Sequence, residues 1–170
     1  MRFKLTIPKE AKHSEPVNCV GWTTADELYS IGEDHIINRS NLINNEVMKV
    51  TELSNEIYPI DMHWFPKSAG GGRKAGVPDV FVMASNDGKI FIMSKNGKIE
   101  KSVEAHNGTC ICCRWSYDGT MIVTGGEDGQ VKLWSKSGML RSALVQSRKC
   151  FILININDVN RVSLQIFFII

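Results

Sequence analysis

The feature that most limits what this chain can become is an internal repeat. Asp87-Gly-Lys-Ile-Phe-Ile-Met-Ser-Lys-Asn-Gly-Lys-Ile99 aligns with Asp128-Gly-Gln-Val-Lys-Leu-Trp-Ser-Lys-Ser-Gly-Met-Leu140, and the two segments start 41 residues apart. Each has an Asp-Gly turn, a short alternating strand, Ser-Lys, a second glycine turn and a resumed strand. A second register extends the pattern back. His13 stands nine residues before Trp22 as His106 stands nine before Trp115, and Gly32-Glu-Asp34 answers Gly126-Glu-Asp128. Trp64 occupies the same place in the middle copy. Asp34 and Asp87 lie 53 residues apart, twelve more than the second spacing, and the surplus is the Gly-rich stretch Lys67–Pro78. It reads as an inserted surface loop. A period near 40 built from short strands and tight turns predicts propeller blades of four strands each. Nothing in the first 145 residues reads as a capped helix. The expected fold is all-β: an incomplete propeller of about three blades, with an open ring.

Composition narrows the functional classes. A net charge of +2 in 170 residues supplies no basic field for nucleic acid or for an acidic membrane. The five cysteines are an odd number, and Cys110-Ile-Cys112-Cys113 places adjacent thiols on opposite strand faces, so a secreted disulfide framework is not expected. Cys110 and Cys112, two apart, are expected to share one face. Met1–Ile7 alternates like a strand, not like a signal peptide. The apolar stretch Phe151–Ile170 carries Asp158 and Arg161 near its centre, each costing about 2.5–3.5 kcal/mol to insert into a bilayer, so it is not expected to span one.

The third repeat carries a likeness that reaches beyond patterning. Its His106, Thr124, Asp128 and Trp134 stand where blades of the WD-repeat family hold a hydrogen-bonded tetrad of His, Ser or Thr, Asp and Trp, and the chain resembles that family. The resemblance implies a structural tie, in which each buried polar group must be paired or cost about 1–3 kcal/mol. The first repeat keeps His13, Ser30 and Asp34 but has Ser40 at the Trp position. The second keeps only Asp87, with Asn55, Met83 and Met93 at the other places. The dipeptide that names the family is absent, since Ser135 follows Trp134.

Other chemistries read poorly from these residues. His, Asp and a hydroxyl suggest a catalytic triad, but a hydroxyl held between His and Trp is no free nucleophile, so no catalytic residue is assigned. The cysteine cluster lacks a second, separated ligand pair for zinc. Gly70-Gly-Gly-Arg-Lys-Ala lacks the phosphate-loop spacing and a following helix. No metal, cofactor or small-molecule substrate is expected.

Several runs go past general family spelling: Val17–Ser30, Ile57–Ser68, Glu100–His106 and Gly126–Ser142. These resemble the N-terminal part of a WD-repeat subunit of the intraflagellar transport B complex, which moves cargo along ciliary microtubules. The likeness implies a non-enzymatic interaction scaffold at the cilium and in the cytoplasm, with other proteins of that complex as partners. It covers roughly residues 1–146, expected as three blades. Residues 147–170 turn to an Ile-, Phe- and Asn-rich tail, expected as a divergent terminus that supplies at most one replacement strand and lowers solubility. A non-assembling short isoform and a general cytosolic WD adaptor are the alternative expectations. The partner-binding residues are unassigned; Lys67–Pro78 is the candidate surface by reach alone.

Overall fold

The computed structural model describes residues 12–24, 26–66 and 78–146. Among them every regular element is a strand: β1 (Val17–Thr24), β2 (Glu27–Gly32), β3 (Ile36–Asn41), β4 (Glu46–Glu52), β5 (Pro59–Trp64), β6 (Val80–Ser85), β7 (Lys89–Ser94), β8 (Ile99–Glu104), β9 (Cys110–Trp115), β10 (Met121–Gly126), β11 (Gln130–Ser135) and β12 (Leu140–Gln146). They form three antiparallel four-stranded sheets, β1–β4, β5–β8 and β9–β12, each a simple meander. These are three consecutive blades of a WD-type propeller. The N-terminal segment Met1–Ile7, residues 67–77 of the loop and the 147–170 tail fall outside the described residues.

The repeat in the sequence becomes a repeat in register. Across the first blade Trp22 pairs with Leu28, Leu28 with Ser40 and Ser40 with Val47. Across the second the same row is Trp64, Phe81, Met93 and Ile99, and across the third it is Trp115, Ile122, Trp134 and Leu140. A strand's side chains alternate between faces, so each row lies on one side of its blade.

Packing between blades follows from those rows. Trp64, Phe81 and Met93 of the second blade share a core with Cys19, Tyr29, Ile31 and Ile37 of the first. Trp115, Ile122 and Trp134 of the third share one with Val82, Ala84, Ile90 and Ile92 of the second. Each tryptophan row is thus covered by the far face of the blade before it. Gly21 makes the first of these contacts possible: a Cβ there would lie 2.9 Å from Trp64 Cδ1, inside normal packing distance. Trp22 has no such cover among the described residues and is 59% exposed.

One strand departs from the expected alternation. Gly125 pairs with Cys112 but Gly126 pairs with Cys110, so β9 carries a bulge at Ile111. The extra residue turns Cys110 to the side of Cys113, in the core facing the second blade, while Cys112 joins Val123 and Val131 on the opposite face. Cys110 and Cys112 therefore do not share a face, because a bulge breaks the two-residue period.

Candidate functional site: the blade ties and their surroundings

In the third blade the strands bring His106, Thr124, Asp128 and Trp134 together from four separate stretches of chain. Asp128 sits in the β10–β11 turn, where its carboxylate accepts the amides of Asn107 (3.2 Å) and Gln130 (3.1 Å). His106 precedes β9 and places Nδ1 2.8 Å from Asp128 Oδ1, with Nε2 2.7 Å from Thr124 Oγ1. The Trp134 indole N–H donates to the same Thr124 oxygen at 2.9 Å. Only one proton arrangement satisfies every group. The indole donates to Thr124, the Thr124 hydroxyl donates to His106 Nε2, and His106 Nδ1–H donates to Asp128.

The electrostatics agree with a neutral imidazole against a carboxylate. Burial lowers the His106 pKa, although the Asp128 hydrogen bond and charge oppose it. Burial alone would raise Asp128, but the bonds from His106, Asn107 and Gln130 outweigh it and hold the carboxyl below its ordinary value. Thr124, His106 and Trp134 are all buried, and the hydroxyl is engaged on both sides. A side chain so held offers no approach for a substrate.

The first blade holds a shorter version. His13 Nδ1 lies 3.0 Å from Asp34 and His13 Nε2 lies 2.8 Å from Ser30 Oγ. Ser40 stands in the Trp134 register but makes no part of this set. Asn38, two residues earlier, comes within 3.2 Å of His13 Nε2 and donates to the Lys12 carbonyl at 2.8 Å. Its buried amide fills part of the space that an indole takes in the third blade. In the second blade Met83 and Met93 are fully buried, Asn55 is exposed, and the Asp87 carboxylate turns to its neighbour Lys89. Apolar packing takes the place of the polar tie there.

A second polar set, absent from the sequence reading, lies where the blades' inner strands meet. Asp61 Oδ2 accepts the Cys113 amide at 3.0 Å and the Arg114 guanidinium. His63 Nδ1 accepts the Trp115 amide at 3.1 Å. Burial and the Arg114 charge hold the His63 pKa down to about 4. Nearby, β1 and β5 with Arg114 border a cavity of about 500 Å³. The cysteines carry no comparable chemistry: burial pushes the Cys110 and Cys113 thiols well above their ordinary values, and all four described cysteines are free.

Comparison with known proteins speaks to this architecture. The WD domain, G-beta repeat family matches residues 97–135, the stretch that contains His106, Thr124, Asp128 and Trp134. Intraflagellar transport protein 80 homologs of Mus musculus and Rattus norvegicus are each 56% identical to the chain over 146 residues, which is 86% of its length. The chain is a run of WD-type blades, similar to intraflagellar transport protein 80. It spans only 19% of the length of those two relatives. A weaker likeness, 26% identity over 156 residues, links it to restriction of telomere capping protein 1 of Vanderwaltozyma polyspora, of which it spans 12%. The transport protein 80 likeness thus takes in most of the blade sequence, while the family match marks the one blade whose tetrad is complete.

Proposed function

We propose that the chain is a non-enzymatic interaction scaffold of intraflagellar transport, acting at the cilium through other proteins of the B complex. The observation that carries this reading is the 56% identity to two intraflagellar transport protein 80 homologs over 86% of the chain. Identity at that level across three blades extends well past the residues a blade needs to fold, into exposed positions where sequence is set by what binds. The His106, Thr124, Asp128 and Trp134 set serves the fold, as a tie that fixes the β10–β11 turn to the start of β9. His13, Ser30 and Asp34 do the same in the first blade. No catalytic, metal or cofactor role is assigned to either, and nucleic acid and membrane are not among the partners.

The test is affinity purification of the tagged full chain from ciliated cells, with a Thr124→Val, Trp134→Phe variant as a folding-compromised control. Recovery of intraflagellar transport B subunits with the native chain, and their loss with the control, is the expected result. A soluble, folded chain that recovers none of them contradicts the proposal.

A further inference from the structure

The strands at the inner ends of the blades, β1, β5 and β9, are sheet edges that lie side by side, and an edge normally leaves a row of main-chain groups free to pair. In β9 the Ser116 amide donates inward to the Met121 carbonyl of β10 (2.8 Å). By antiparallel alternation the amides of Cys113 and Trp115 face the other way, toward β5. Both are occupied. Asp61 accepts from Cys113 and His63 accepts from Trp115, two side chains two residues apart on β5 meeting two amides two residues apart on β9. The Cys113 carbonyl between them takes a hydrogen bond from Arg114 Nη1 at 2.7 Å. Arg114 is fixed in turn by Asp61, and the other Asp61 oxygen accepts the Met62 amide of β5 at 2.9 Å. Three successive edge groups of β9 are satisfied by side chains rather than by a strand.

We infer that Asp61, His63 and Arg114 form an edge seal, an autoinhibitory contact that keeps β9 from pairing with a further strand. Without it, β9 becomes an acceptor for an extended segment of a second copy of this chain. The geometry favours a seal over a simple interblade bond because the side-chain spacing copies the strand period. The first blade presents Cys19 and Gly21 toward β5 at the places Asp61 and His63 hold on the second, so this lacing belongs to one junction and is not a property of every blade.

Site-resolved amide exchange on the full chain tests the inference, comparing the native sequence with Asp61→Ala, His63→Ala. In the native chain the Cys113 and Trp115 amides exchange slowly for edge positions. In the variant both exchange about 10- to 100-fold faster, the loss expected for bonds to charged or buried acceptors. The Ser116 amide, which faces β10, keeps its rate and reports that the blade is still folded. Sedimentation then shows a concentration-dependent dimer of the variant alone. His63→Gln, whose amide oxygen still accepts, keeps Trp115 protected, and this single variant with His63→Ala carries the test if the double variant does not fold. Native amides at Cys113 and Trp115 that exchange freely overturn the seal. Opened amides in a chain that stays monomeric at all concentrations overturn the acceptor role.

Discussion

Thr124 is bonded on both sides, donating to His106 and accepting from Trp134, so replacing its hydroxyl by a methyl group unpairs two buried groups at once. Thr124→Val is expected to cost about 2–4 kcal/mol in chemical denaturation, at 1–3 kcal/mol for each group left unsatisfied, while Thr124→Ser stays close to the native stability. Ser30→Ala in the first blade is expected to cost less, about 1 kcal/mol, because no indole depends on Ser30. His63 supplies a pH dependence of a different kind. Its folded pKa of about 4 lies below its ordinary 6.5, so the unfolded chain takes up the proton first. The stability it protects is fully present above pH 6.5, falls as pH drops toward 4, and levels off below that. The shift corresponds to about 3 kcal/mol. Denaturation midpoints across pH 4–7 should show this slope and His63→Gln should flatten it. Asp34 and Asp128, both held below their ordinary values, add their losses only in more acidic solution. The His106 set was legible in the sequence because its members recur at fixed distances from an Asp-Gly turn. Asp61 and His63 were not, because each acts on a main-chain amide of another blade, and nothing in the local pattern of β5 reports which edge it will face.

At the scale of elements, the strand and turn order could be read almost throughout, since each blade repeats the same alternation and the same glycine turns. The β9 bulge could not. Cys-Ile-Cys-Cys has no glycine or turn residue to mark an extra residue, and the bulge becomes visible only through the Gly125 and Gly126 partners on β10. Gly126 also lies against the His106 ring so closely that any Cβ would overlap its atoms. The bulged end of β10 and the tetrad histidine therefore share one space. Gly126→Ala is expected to push His106 off both partners and to destabilise the blade by about 2 kcal/mol or more. Loss of near-ultraviolet dichroism from Trp134 at unchanged strand content would report it. Native-like stability of Gly126→Ala would show that the His106 ring is free to move.

Across the whole molecule the three blades stack in one direction, each covering the tryptophan row of the next. Trp64 and Trp115 are consequently buried, and Trp22 is exposed although it holds the same place in its own blade. The sequence shows three equivalent tryptophans, and only the order of packing separates them. Among single-tryptophan variants, the one that keeps Trp22 is expected to show red-shifted emission and strong quenching by acrylamide. Those that keep Trp64 or Trp115 should be blue-shifted and protected. Equal quenching of all three would contradict the stacking order. The transport role belongs to the same scale, because partners meet the blades' joint surface and no single residue decides it. The most direct measurement exchanges the matching segment of the mouse intraflagellar transport protein 80 homolog for residues 12–146 of this chain, in cells that lack the mouse protein. A chimera that enters the transport complex and restores cilium assembly is the predicted result. A stable, folded chimera that stays outside the complex and leaves cells without cilia would contradict the account.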